Sequence, residues 1–112
     1  MENLSVNPEN YKILVVDDIA TNVLLLKTIL GKAGYRIVTA TGGREALEKV
    51  ESESPDLILL DIKMPNLDGL EATKIIRELS ATVPIIVQSA YAYPQDQKAA
   101  KEAGCSDFIS KP

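Results

Sequence analysis

The stretch Lys12-Ile13-Leu14-Val15-Val16-Asp17-Asp18 decides the fold, because a short β-branched apolar run stops abruptly at two acidic residues. A run that is apolar on both faces is typical of a central strand in a parallel sheet. The stretch 56–60 repeats the pattern and stops at Asp61, and the stretch 84–88 stops at Ser89. Each of these predicted strands therefore ends in a polar side chain.

Helical segments lie between the apolar runs. Ile19, Val23, Leu26 and Leu30 recur at spacings of three and four, which marks one face of a helix. The strands are predicted at 12–16, 35–39, 56–60, 84–88 and 107–110. The first three helices follow Asp18, Gly42-Gly43 and Gly69, and the fourth is predicted at Gln95–Ala103. Strict alternation of strand and helix predicts an α/β fold with a parallel sheet and helices on both faces.

The length of 112 residues suits one domain. We expect residues 1–10, which lack periodicity and contain Pro8, to be a tail or linker, and residues 11–112 to form the domain. The net charge of −4 argues against nucleic acid as a direct partner. No signal peptide or membrane-length apolar stretch is visible, so we expect a cytoplasmic domain without membrane contact, open to attachment to a membrane-anchored parent.

Histidine is absent, which excludes catalysis by Ser-His-Asp or Cys-His groups and excludes histidine metal sites. The single cysteine, Cys105, cannot form an internal disulfide and is interpreted as a small packing residue. Any metal must then bind to oxygen ligands, which suit Mg²⁺, Ca²⁺ or Mn²⁺.

Polar residues at the carboxyl ends of the strands form the candidate site, because these ends meet at one edge of a parallel sheet. They are Asp17, Asp18, Asp61, Ser89 and Lys111. Three carboxylates close together repel one another unless a cation neutralises them, and hard oxygen ligands favour Mg²⁺, with Mn²⁺ as the alternative. Asp61, on the central strand, is the candidate nucleophile for a phosphoryl group. Each acid alone is as well explained as a helix cap or turn residue, but five such residues together are not.

The chain resembles a response-regulator receiver domain of the chemotaxis-regulator type, from about Lys12 to Pro112. The resemblance rests on Val15-Val16-Asp17-Asp18, on the stretch 60–69 (LDIKMPNLDG), on Ser89-Ala90 and on Lys111-Pro112. It implies a doubly wound, flavodoxin-like five-stranded sheet in the order 2-1-3-4-5. It also implies a two-component function, in which a phosphohistidine on a histidine kinase or phosphotransfer domain donates a phosphoryl group to the receiver. Such a domain catalyses its own phosphorylation and dephosphorylation, so its standing as an enzyme is left open.

The resemblance also assigns roles. Asp61 would be phosphorylated, and Asp17, Asp18, Asp61 and the backbone carbonyl of Lys63 would hold Mg²⁺, Asp17 mainly through water. Ser89 and Lys111 would contact the phosphoryl group, the Lys111–Pro112 bond would be cis, and Pro65 and Gly69 would shape the loop after Asp61. Ser89 and Phe108 would form the switch, and Lys63 and Tyr91 would set the phosphoryl lifetime. The strings 17–22 and 89–93 resemble receivers attached to hybrid histidine kinases.

Two departures carry expectations of their own. The given sequence stops at Pro112, before the family's fifth helix, which is either absent, outside the given residues or replaced by a partner. Without it, the face around Ile19, Val23 and Leu26 should lack part of its cover, which would favour a homodimer or aggregation. The fourth helix turns only alanines inward and should be weakly held. We therefore expect the face formed by that helix and the fifth strand to be the output surface.

Two other functions were considered. An unphosphorylated protein-interaction module of the same fold is the main alternative, and the intact five-residue site argues against it. A nucleotide- or flavin-binding protein is disfavoured, because the stretch 17–21 has no glycine and carries negative charge where a phosphate would lie.

Overall fold

Five parallel strands build the molecule. A computed structural model of the chain describes residues 7–62, 68–89 and 93–110. The elements are β1 (Lys12–Val16), α1 (Ala20–Lys32), β2 (Arg36–Ala40), α2 (Gly43–Glu53), β3 (Leu57–Asp61), α3 (Gly69–Leu79), β4 (Ile85–Ser89), α4 (Pro94–Ala103) and β5 (Asp107–Ser110). The sheet has the order β2-β1-β3-β4-β5, which confirms the predicted fold and strand order. The predicted second, third and fourth strands each begin and end one residue later than the sequence pattern indicated.

The chain enters the sheet through a short 3₁₀ helix at Pro8–Asn10, inside the segment predicted to be a tail. Among the described residues, no helix combines the length and the apolar composition that a bilayer crossing requires.

The larger core lies on the sheet face that α2, α3 and α4 cover. Leu14, Ile58, Leu60 and Val87 are fully buried there, and Phe108 packs against them from β5. Cys105 is half-buried and packs against the same core, as predicted. Burial, reinforced by the nearby Asp107 carboxylate, raises the pKa of the Cys105 thiol and keeps it protonated at neutral pH.

The opposite face of the sheet carries a smaller core. Among the described residues, α1 is the only helix whose side chains pack into it. Ile13, Val15 and Leu59 are buried there, and Leu26 and Leu30 of α1 pack on them. No residue of α1 is fully buried. Ile19 and the helix residues Leu24, Leu25 and Ile29 are all at least half exposed. Of the three residues that were expected to lack cover, Ile19 is exposed, whereas Val23 and Leu26 are partly buried.

The turn between β3 and α3 brings two backbones into direct contact. Asp68 caps α3 by accepting a hydrogen bond from the Glu71 amide at 2.9 Å, and the Gly69 amide donates to the Ile62 carbonyl at 3.0 Å. A Cβ atom on Gly69 would lie 2.7 Å from the Cα atom of Ile62 and would also collide with the Asp61 carbonyl oxygen. Only glycine fits at this position, for reasons of space and not of backbone angle.

Replacing Gly69 by alanine should lower the free energy of unfolding by about 2–3 kcal/mol, because backbone atoms must move to admit the methyl group. Gly31→Ala is the matched control. Nothing lies within 4 Å of a Cβ atom at Gly31, which is inside α1, so this variant should gain about 0.5–1 kcal/mol. Urea denaturation of the two variants checks both signs, and a Gly69→Ala protein as stable as wild type would contradict the packing argument.

Candidate phosphoacceptor and metal site

Asp17, Asp18 and Asp61 meet at the carboxyl edge of the sheet. The parallel pairing of β1 with β3 aligns Val16 with Leu60, so the next residues along, Asp17 and Asp61, lie side by side. One carboxylate oxygen from each aspartate lies within 4.8 Å of the other two. Asp17 and Asp61 are buried, whereas Asp18 is exposed. The predicted convergence of the three acids is therefore present in the structure.

Asp17 is held by two donors from the start of α1. Its Oδ1 accepts a hydrogen bond from the Ile19 amide at 2.9 Å, and its Oδ2 accepts one from Asn22 Nδ2 at 3.2 Å. These contacts hold a buried carboxylate in a fixed orientation and connect the site to the first turn of the helix. Asn22 was not among the predicted site residues, although a polar side chain on the inward face of a predicted helix is a usable signal.

Asp61 ends β3, the central strand. It pairs with Gln88 of β4, and the next amide along, that of Ile62, donates to the Gln88 carbonyl at 3.1 Å. Its carbonyl oxygen is the atom that a Cβ at Gly69 would strike, so the start of α3 packs directly on the backbone of Asp61. The carboxylate is thus presented from a rigid strand end and not from a free loop.

Ser89 and Phe108 occupy neighbouring strands. Ser89 is fully buried at the end of β4 and pairs with Ser110 of β5. Phe108 pairs with Val87 and packs against the larger core. The remaining predicted site residues, Lys63, Pro65, Tyr91, Lys111 and Pro112, lie outside the described residues, as does the predicted cis bond.

The donor set fits a hard divalent cation. Carboxylate oxygens are the ligands that Mg²⁺ prefers, and the exposed Asp18 leaves room for the waters that Mg²⁺ retains. At an effective dielectric constant of about 20, two unit charges at the separation of Asp17 and Asp61 repel by on the order of 3 kcal/mol. A cation bound by the cluster would relieve this repulsion.

The molecule is a doubly wound α/β protein with a five-stranded parallel sheet and an acidic cluster at its carboxyl edge. The sequence model of the response regulator receiver domain matches residues 13–112. The chain belongs to this family, and it is a receiver domain of two-component signal transduction. Receiver domains bind Mg²⁺ at an acidic pocket and interact with histidine kinases or phosphotransfer proteins.

Individual relatives agree with this assignment. The chain is 44% identical over 103 residues to the alkaline phosphatase synthesis transcriptional regulatory protein PhoP of Bacillus subtilis, covering 92% of this chain and 43% of that protein. It is 42% identical over 110 residues to hybrid signal transduction histidine kinase I of Dictyostelium discoideum, covering 90% of this chain and 6% of that protein. The chain therefore spans less than half the length of these two relatives.

A solved structure extends the comparison. The response regulator protein TrrA from Thermotoga maritima, in complex with Mg²⁺ and BeF, superposes with a TM-score of 0.82 at 40% identity, covering 91% of this chain and 87% of that one.

Replacing Asp18 by asparagine should raise the melting temperature in EDTA, because one charge of the repelling cluster is removed. The same variant should lose most of the stabilisation that millimolar Mg²⁺ gives to the wild type. Glu48→Gln, which removes an exposed carboxylate from α2, is the control and should respond to Mg²⁺ as the wild type does. A full Mg²⁺ response in Asp18→Asn would exclude Asp18 as a ligand.

Proposed function

We propose that Asp61 accepts a phosphoryl group from a phosphohistidine on a histidine kinase or a histidine phosphotransfer domain, in a reaction that requires a divalent cation. The observation that carries the proposal is the position of the Asp61 carboxylate. It lies at the end of the central strand, within 4.8 Å of two further carboxylates that can hold the cation. The donor must be another domain, since this chain contains no histidine.

The chemistry is a displacement at phosphorus. A carboxylate oxygen of Asp61 forms a bond to phosphorus while the N–P bond of the phosphohistidine breaks, and the imidazole nitrogen takes the bonding electron pair. Hydrolysis returns Asp61 to its unphosphorylated form. A water attacks phosphorus, the Asp61 oxygen leaves as carboxylate, and inorganic phosphate is released. Mg²⁺, when bound, neutralises charge on the transferring group. Mn²⁺ is the proposed alternative ion, since it accepts the same oxygen ligands.

The remaining residues are proposed to assist. Asp17, Asp18, Asp61 and the Lys63 carbonyl would hold the cation, and the hydrogen bonds from Ile19 and Asn22 support Asp17 in that role. Ser89 would donate its hydroxyl to a phosphoryl oxygen, and Lys111 would supply a positive charge. Lys63 and Tyr91 would flank the path of the attacking water and so set the phosphoryl lifetime.

The wider setting follows from the family. We propose that residues 11–112 are the receiver unit, that residues 1–10 precede it as a tail, and that it works in the cytoplasm. The identity to a hybrid histidine kinase supports a parent chain of that kind. The exposed Leu24, Leu25 and Ile29 of α1 support a homodimer as a further assembly.

The output surface is proposed on α4 and β5. Only two residues of α4, Ala100 and Ala103, are fully buried, so the helix contributes little apolar contact. Arg77 of α3 clamps its far end, with Nε donating to the Gly104 carbonyl at 2.7 Å and Nη1 to the Val83 carbonyl at 2.6 Å. The start of α4, nearer to Ser89, lies outside this clamp and is the part we expect to shift.

Incubation with acetyl phosphate and Mg²⁺ should add one phosphoryl group to the wild-type chain, as measured by intact mass. Asp61→Asn should abolish the adduct, because an amide is a poor nucleophile, and EDTA should abolish it in the wild type. Glu48→Gln is again the charge-matched control and should be modified normally. No adduct on a folded wild-type chain would refute the acceptor function and leave the interaction-module alternative.

Hydrogen exchange tests the output surface. Beryllofluoride with Mg²⁺ should change amide protection in Pro94–Ala103 and in Asp107–Ser110, because phosphorylation repacks the weakly held helix against Phe108. Protection in Gly43–Glu53, which lies away from this surface, should stay constant and serves as the internal control. Unchanged protection in α4 and β5 would place the output elsewhere.

A further inference from the structure

Gln88 is a buried polar side chain whose amide nitrogen makes no hydrogen bond. It lies in β4 and is 6% exposed, and its Nε2 is the only buried side-chain nitrogen or oxygen without a partner among residues 7–62, 68–89 and 93–110. Leaving a buried donor unpaired is costly, so native proteins rarely keep one without a use for it. The residues on either side of it in the sequence of β4, Val87 and Ser89, are also buried.

The sheet places Gln88 beside Asp61. The two residues are register partners on parallel strands, so their side chains point to the same face of the sheet. The Ile62 amide donates a hydrogen bond to the Gln88 carbonyl at 3.1 Å, which continues the β3–β4 register to this point. Asp17 follows β1 on the other side of Asp61. Asp61 therefore lies between Asp17 and Gln88 along the edge of the sheet.

The Asp61 carboxyl group is the acceptor to which the Gln88 amide nitrogen can donate a hydrogen bond. The two oxygens of Asp17 already accept hydrogen bonds from Ile19 and Asn22. A carboxylate offers about four lone-pair sites, so Asp61 can accept a further donor in addition to its existing contacts. When one Asp61 oxygen bonds to phosphorus, the other becomes a carbonyl oxygen, which can accept a hydrogen bond from the Gln88 amide.

We propose that Gln88 is a positioning residue for the phosphorylated state, in which its Nε2–H group donates a hydrogen bond to the carboxyl group of Asp61. The inference rests on the proposed acceptor function of Asp61. Because the bond is absent from the unphosphorylated structure, it stabilises the phosphorylated state selectively. It makes no contribution to cation binding in the absence of a phosphoryl group.

Gln88→Met tests the proposal, since methionine has a similar length and volume but no donor. We measure the dissociation constant of beryllofluoride at saturating Mg²⁺, and separately that of Mg²⁺ alone. The variant should bind beryllofluoride about fivefold more weakly, the loss expected for one hydrogen bond to an uncharged acceptor. Its Mg²⁺ affinity should be unchanged, and its melting temperature should equal or exceed that of the wild type, because an unpaired buried amide has been removed.

Ile86→Met is the matched control. Ile86 is half-buried and lies on the same strand and face as Gln88, but two residues further from the carboxyl end of the sheet. It should bind beryllofluoride as the wild type does. NMR of the wild type gives a readout that does not depend on how the variants fold. The side-chain amide resonances of Gln88 should shift when beryllofluoride is added to the Mg²⁺-loaded protein, and not when Mg²⁺ is added alone.

The outcomes separate the two claims. A wild type that does not bind beryllofluoride overturns the acceptor function and this inference together. Normal binding by the wild type, with equal affinity in Gln88→Met or with unmoved Gln88 resonances, overturns the inference alone. Equal weakening in Gln88→Met and Ile86→Met also overturns it, because the effect would then come from strand packing.

Discussion

The parallel pairing of β1 with β3 is the constraint on which the site depends. Aligning Val16 with Leu60 places the acids that end these strands at one edge, although more than 40 residues of chain separate them. The cost is electrostatic, since three carboxylates lie within 4.8 Å of one another. The buried apolar strands stabilise an arrangement that the acids alone would oppose. A cation bound by the cluster would relieve this repulsion and so stabilise the edge.

The local structure around the cluster limits how it can relax. Asp17 is fixed by two donors from the beginning of α1, and the backbone of Asp61 is packed against Gly69 at the beginning of α3. Asp17 therefore contacts the start of α1, and the backbone of Asp61 contacts the start of α3. The neighbouring strand β4 adds two buried polar residues. Ser89 ends the strand, and Gln88 pairs with Asp61 and points to the same face of the sheet.

Much of the fold was predictable because the strands are apolar on both faces and end at polar residues. The strand order came from the family resemblance and not from the pattern itself. The hydrogen bond from Asn22 to Asp17 was not predicted, because the helix was inferred from its apolar positions alone. Gln88 falls within the predicted strand 84–88, but a sequence pattern does not show that its buried amide nitrogen has no partner. The close contact at Gly69 depends on where two backbones meet, which no local pattern contains. The assignment of roles to Lys63, Tyr91 and Lys111 stays a prediction.

The central claim is that the phosphoryl group is carried by Asp61 and by neither of the acids that surround it. Reduction of the phosphorylated chain with borohydride converts an aspartyl phosphate to homoserine, and peptide mass spectrometry then locates the converted residue. Homoserine is expected at position 61 alone, and only when Mg²⁺ was present during phosphorylation. Homoserine at position 17 or 18, or equal conversion without Mg²⁺, would contradict it.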